Sequence, residues 1–148
     1  MATTMSKYTI SAIPCTLVEL LWPQLEPHIQ RATDLVPFET YTAAIKERLL
    51  SADTMALTVS IGTDIIAVIT LEVREFDTGN KALFMPIVGG NEMFEWFDQC
   101  MSVIEAIAKD MGCQELRGLA ARSGWMRVLK DKGWSEVYVT VRRPLSGD

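Results

Sequence analysis

The feature that most constrains this chain is a run of three apolar, β-rich segments between tight turns, followed at once by one long amphipathic helix. Residues 55–61 and 65–74 flank Gly62-Thr63-Asp64, and Asp77-Thr78-Gly79-Asn80 leads into residues 82–88. Short turns rich in Gly, Asp and Asn join antiparallel neighbours, so the spacing predicts a meander buried on at least one face. After Gly89-Gly90, Asn91 stands where a helix cap belongs. Met93, Phe94, Phe97, Cys100, Met101, Ile104, Ala108 and Met111 then recur at i, i+3, i+4 spacing, and Gly112 ends the run.

The flanks complete the order. Residues 8–13 read as a strand closed by Pro14, and Thr16 as the N-cap of a helix through Leu17, Leu20, Leu21 and Leu25. Pro23 and Pro27 predict a broken helical segment, and Pro37 separates it from a second helix carrying Tyr41, Ala44, Ile45, Arg48 and Leu49. Downstream, residues 115–119 read as a strand and Ser123 as the cap of a short helix, 125–132, ended by Gly133. Residues 136–142 read as a last strand in which Val137, Val139 and Val141 alternate with Tyr138 and Thr140. The whole is a mixed α+β chain of order β-α-α-β-β-β-α-β-α-β. It implies one domain over residues 1–148, with about six mostly antiparallel, twisted strands and helices on both faces of the sheet.

Composition narrows the function classes. The 148 residues are 49% apolar and 22% charged, enough for one core and too apolar for a disordered chain. The N-terminus lacks the basic flank and apolar run of a signal peptide, and no stretch reaches the ~20 apolar residues of a membrane span, so a cytoplasmic protein is expected. The net charge of −5 argues against general nucleic-acid binding. That charge is uneven: residues 1–112 hold seven Lys/Arg against fifteen Asp/Glu, and residues 113–148 hold seven against four. Three scattered cysteines and a single histidine, His28, supply neither a disulfide framework nor a metal set, so buried, reduced thiols and no metal site are expected. His28 and the four tryptophans read as packing residues, with Trp96 off the main helical stripe and therefore a candidate partner surface.

This order of elements resembles the GCN5-related N-acetyltransferase (GNAT) superfamily over nearly the whole chain. The Ile61-Gly62-Thr63-Asp64-Ile65 hairpin, the strand ending in Gly89-Gly90 before a long helix, and Leu129-Lys130-Asp131-Lys132-Gly133-Trp134 carry the likeness. The resemblance implies splayed fourth and fifth strands that receive a pantetheine arm and an Arg/Gln-x-x-Gly-x-Gly/Ala loop that holds the pyrophosphate. It further implies a base for the acceptor amine and a tyrosine for the leaving thiolate. The sequence departs from that pattern. No such loop follows Val88, and Glu92, Glu95 and Asp98 place carboxylates in the first turns of the helix. The tyrosine position falls on Leu129, and the asparagine that often opens the last helix falls on Arg122. Gly112-Cys113, Arg122-Ser123-Gly124-Trp125 and Gly133-Trp134, with Ile13-Pro14, Trp22-Pro23 and Pro27-His28-Ile29, also resemble small GNAT-like proteins of tailed bacteriophages and prophages. That likeness implies a phage-encoded accessory protein of the host cytoplasm or virion.

Two functions compete on these residues. The favoured one is a non-catalytic, degenerate GNAT-like module that binds no cofactor and engages a protein partner or a second copy of itself. The alternative is a divergent acetyl-CoA-dependent N-acyltransferase. Its cofactor would lie along Met85, Ile87, Val88, Gly89, Gly90 and Asn91, with Glu72 as candidate base and Tyr138 as the nearest phenol in sequence. This alternative predicts a V-shaped opening between residues 85–88 and 115–118. Recognition of phosphate or nucleic acid by a basic C-terminal face (Arg117, Arg122, Arg127, Lys130, Arg142, Arg143) ranks last.

Overall fold

The computed structural model describes residues 6–119 and 124–146. Gly62, at φ 59°, turns β2 (Met55–Ile61) back onto β3 (Asp64–Glu75), the left-handed geometry a two-stranded turn requires. β1 (Thr9–Ile13) pairs antiparallel with β2. β3 is long enough to serve two further partners: its last residues pair with β4 (Lys81–Met85) and its middle with β5 (Val88–Gly90), both antiparallel. Pro86 is what divides β4 from β5. It has no N–H to give the ladder, and the pairing resumes only at Ile87, whose N–H donates to Thr70 Oγ1 (3.1 Å) and whose carbonyl accepts from Thr70 N–H (2.9 Å). β6 (Glu115–Gly118) closes the sheet in parallel beside β4, giving the order β1-β2-β3-β4-β6 with β5 beside β3.

Strand alternation builds two cores. Leu57, Val59, Ala67, Ile69 and Leu71 face one side, where α3 (Met93–Asp110) lays Trp96, Cys100, Ile104 and Ala108 on them. Ala56, Val68 and Ile87 face the other, under Val18, Leu25 and Ile29 of α1 (Val18–Thr33) and Ile45 and Leu49 of α2 (Thr42–Leu50). The mixed sheet with helices on both faces is the architecture expected.

Several local expectations are corrected. α1 runs unbroken through Pro23 and Pro27, preceded by a 3-10 turn at Cys15–Leu17; burial of its apolar stripe outweighs the two missing backbone donors. The cap of α3 is Glu92 in the left-handed region (φ 58°), whereas Asn91 N–H donates to Ile66 O and continues the ladder. Trp96 is fully buried, its indole N–H donating to Asn91 O (2.6 Å), so it is core and presents no partner surface. Cys100 is buried and Cys113 half-buried, but Cys15 is exposed. Residues 136–142 form no strand: after α4 (Trp125–Asp131) and Gly133 at φ 90°, residues 135–146 run exposed and without a ladder partner among the described residues. A strand pattern needs an edge to pair with, and this segment, whose Ser135 and Val137 share a trough with Glu115 and Leu116 of β6, does not close onto that edge. Arg122 and the expected cap Ser123 lie outside the described residues.

Candidate functional site

β4 and β6 stay paired only as far as Met85 and Gly118. Beyond that point β5 keeps to β3, away from β6. A cavity of about 300 Å³ occupies the divergence. Ile87 and Asn91 present their backbone groups to β3. By antiparallel alternation, the N–H and C=O of Val88 and Gly90 therefore turn the other way, toward the opening. This is the V-shaped gap that the acyltransferase alternative requires. Met85, Pro86, Ile87 and Val88 form one wall, and Gly118 and Leu119 the other.

The cavity continues through the sheet at the Pro86 break, with lining residues from the elements on both faces. On the α3 side its walls are Met93, Trp96, Phe97, Met101, Leu129 and Trp134. Trp125 holds α4 over this side, its ring stacked on Phe94 (5.3 Å, 9°) and tilted against Phe97 (5.8 Å). On the α1–α2 side the cavity meets Thr40, Arg48, Glu72 and Arg74. Glu72 shares a strand face with Val68 and Thr70, and its carboxylate accepts from Arg74 at 2.6 Å. Thr40 Oγ1 is buried there without a partner among the described residues, a polar atom available to a ligand in the cavity. Among the proposed site residues, the fold thus brings together Glu72, Met85, Ile87 and Val88. Tyr138 lies apart, exposed on the segment beyond α4. Leu129 lines the cavity with a side chain that has no proton to give.

The two glycines have a role that sequence reasoning missed. A Cβ on Gly89 would overlap the carbonyl of His28 in α1, and one on Gly90, at φ 148°, would overlap Ala67 of β3. They seat β5 between its neighbours, so close packing explains them without any phosphate. The loop joining β5 to α3 is only Asn91 and Glu92, too short for the six-residue signature of a diphosphate cradle. The carboxylates at this end are held to one side. Glu92 accepts from Lys7 Nζ (3.4 Å) and Tyr8 hydroxyl (3.2 Å), and Glu95 accepts a short hydrogen bond from the same hydroxyl. Asp98 pairs with Lys132 at 2.8 Å. Burial, then the Glu95 hydrogen bond, push the Tyr8 phenol up to about 12, and the phenol holds the Glu95 carboxyl below the ordinary carboxylate range. Burial pushes the Cys100 thiol up to about 12, so it is inert in the folded chain. Among the described residues no group of three His, Cys, Asp or Glu side chains could hold a metal ion, and no helix is long and apolar enough to cross a membrane.

No protein-family model matches the chain, and no curated protein matches it in sequence. Solved structures do match in fold. The aminoglycoside N-acetyltransferase AAC(6')-Iy in complex with CoA superposes with a TM-score of 0.67 at 15% identity, covering 98% of this chain and 99% of that one. A ribosomal-protein-alanine N-acetyltransferase from Brucella melitensis biovar Abortus 2308 gives 0.67 at 13%, over 93% and 99%. A GCN5-related N-acetyltransferase from Ralstonia eutropha JMP134 gives 0.66 at 17%, over 95% and 99%. The chain therefore has the GNAT acetyltransferase fold.

Proposed function

We propose that this protein is a divergent N-acyltransferase that takes an acyl-pantetheine thioester through the gap between β5 and β6 and presents it to an amine on the α1–α2 side. One observation carries the reading: a single cavity joins the backbone edge at Val88 to Glu72 past the break at Pro86. The edge groups hydrogen-bond an amide-bearing arm as they would a strand, and the methionine and tryptophan walls exclude water from it. Glu72 attracts the acceptor's ammonium group and takes its proton. The neutral nitrogen then forms a bond to the thioester carbon as the C–S bond breaks, its second proton passes to solvent, and the thiolate leaves with the arm. With Leu129 at the leaving-group side, solvent protonates the thiolate, and turnover is expected to be slow.

The residues present fit the arm and not the diphosphate. The two-residue turn and its carboxylates favour a second reading, a GNAT-like scaffold without chemistry whose contacts are with other proteins. Titration with acetyl-CoA separates the two. Ligand at ~100 times its dissociation constant stabilises the fold by about 2.7 kcal/mol, a clear rise in melting temperature. Gly118→Leu is the blocking variant, because a Cβ at Gly118 meets only the Met85 methyl (3.6 Å) and the Trp134 ring (4.0 Å), so the rest of the side chain fills the gap without breaking the sheet. Wild type should shift and release thiol on turnover, Gly118→Leu should not shift, and Glu72→Gln should bind but not turn over. No shift at millimolar acetyl-CoA would leave the scaffold reading standing.

A further inference from the structure

The rim of the gap between β5 and β6 is apolar and exposed. Leu119, at the end of the β6 wall, lines the cavity and is still 65% exposed. Trp125 lines it from α4, and Phe94, whose ring lies flat against that indole, is 72% exposed. Large apolar side chains held in fixed positions beside an opening mark a contact surface more than a site for a free, highly charged nucleotide. The same helix supplies charge. α4 turns Trp125 and Leu129 to the cavity, and its exposed side carries Arg127 and Lys130, three residues apart. At the other end of the opening, Arg31 reaches the β5–α3 turn from α1 and donates to Asn91 Oδ1 (2.8 Å). The carboxylates of that turn are engaged elsewhere, Glu92 and Glu95 with Lys7 and the Tyr8 hydroxyl.

Resting on the acyltransferase reading above, we propose that the acyl group is delivered by a carrier protein, a small acidic protein that bears the acylated pantetheine arm on a serine through a single phosphodiester. The arm is the same as in coenzyme A; the anchor differs. Coenzyme A brings a diphosphate and a ribose phosphate to a two-residue turn with two carboxylates beside it. A carrier brings one phosphodiester charge, which the Arg31 guanidinium can pair. Its body rests on the rim, covering Leu119, Phe94 and Trp125, while Arg127 and Lys130 meet its acidic surface. Docking of the body and entry of the arm are linked, so each raises the effective concentration for the other and neither contact has to be strong alone. The basic excess of residues 113–148, seven Lys/Arg against four Asp/Glu, then serves a partner of opposite charge. In the transfer, the acceptor nitrogen bonds to the thioester carbon as the C–S bond breaks. The ammonium's two protons pass to Glu72 and to solvent, and the thiolate takes a proton from solvent and stays on the carrier's arm as the thiol.

Calorimetric titration of the full chain compares donors without an acceptor. The probes are acetyl-pantetheine, acetyl-CoA, and an acyl carrier protein of the fatty-acid synthase type, acetylated on its arm or lacking the arm. The acetylated carrier should bind about tenfold or more tighter than either small donor, by a margin that shrinks as salt rises. Arg127→Glu combined with Lys130→Glu should remove that margin and leave the affinity for acetyl-pantetheine unchanged, because both side chains stand on the exposed side of α4. Gly118→Leu should abolish binding of acetyl-pantetheine and weaken the acetylated carrier to the level of its arm-free form. An acetylated carrier that binds no better than acetyl-pantetheine, or no better than the arm-free carrier, overturns the carrier proposal and leaves the acyltransferase reading in place. So does a margin indifferent to the charge reversal on α4. Acetyl-pantetheine that fails to bind at millimolar concentration removes the acyltransferase reading, and the carrier proposal with it.

Discussion

Tyr8 and Glu95 show how one hydrogen bond links the first strand to the start of the long helix. The phenol is covered by the sheet–helix core, and Gln99 Nε2 donates to its backbone carbonyl at 3.1 Å, so three groups tie Tyr8 to α3. The titration consequences have opposite signs. A phenol held near 12 against an ordinary 10.0, and the Cys100 thiol held near 12 against 9.0, keep their protons longer in the folded chain than in the unfolded one. Their contribution is intact below about pH 9 and is lost as pH climbs toward 12. Glu95, whose carboxyl is depressed chiefly by the Tyr8 hydrogen bond, contributes above its unfolded value and loses that contribution as pH falls through the folded one. Tyr8→Phe is therefore expected to flatten both limbs: urea midpoints should decline less above pH 10, and acid unfolding should begin at higher pH than in the parent. Equal pH profiles for the two proteins would show that this hydrogen bond does not form in solution. Nothing in the sequence announces the pair, since 87 residues separate its members. A tyrosine at the head of a strand and a glutamate in the first turn of a helix have ordinary separate explanations.

At the scale of elements, the periodic segments could be read and the exceptional ones could not. The meander, α2 and α3 declare themselves through alternation and through a stripe at helical spacing, because those periods are what burial against a sheet demands. α1 misleads because its prolines weigh heavily in local reasoning, while the burial of Leu25, Ile29 and Ala32 that holds it together is a tertiary fact. β5 misleads in the other direction. Gly89-Gly90 before a helix invites a ligand, whereas each glycine is there because another backbone occupies the space its side chain would need. That difference can be measured. Gly89→Ala and Gly90→Ala should each destabilise the fold by about 3 kcal/mol in urea unfolding, since neither the His28 carbonyl nor the Ala67 backbone can withdraw as a flexible side chain does. Gly118→Ala, where the new methyl makes ordinary contacts, should stay within about 0.5 kcal/mol. Small effects at all three positions would restore the glycines to a ligand-facing role. Replacing Gly90 is for the same reason a poor probe of cofactor binding, because it would unseat β5 before it touched a ligand.

At the scale of the whole molecule, the fold supplies the gap that the proposed acyl-pantetheine site needs, and the turn between β5 and α3 is too short to cradle a diphosphate. Divergence of β5 from β6 follows from Pro86 and from the short pairing of β4 with β6, so the gap rests on the course of the backbone more than on particular side chains. A diphosphate cradle needs a specific loop, and here the turn is two residues long with Glu92 and Glu95 at its end. This division predicts an unusual ligand preference. In an enzyme with an intact cradle the nucleotide end adds much of the affinity; here acetyl-pantetheine should bind within about tenfold of acetyl-CoA, a difference of at most ~1.4 kcal/mol. The carboxylates are then the groups to change. Removing two carboxylates that repel a diphosphate at this helix start works in the ligand's favour. Glu92→Gln with Glu95→Gln should raise the affinity for acetyl-CoA several-fold, more at low salt than at high, and leave that for acetyl-pantetheine unchanged. Calorimetric titration of both ligands into both proteins gives the four numbers needed. If the parent already prefers acetyl-CoA by a hundredfold or more, the diphosphate is held by groups other than this turn, and the division between a gap that binds the arm and a turn that repels the diphosphate is wrong.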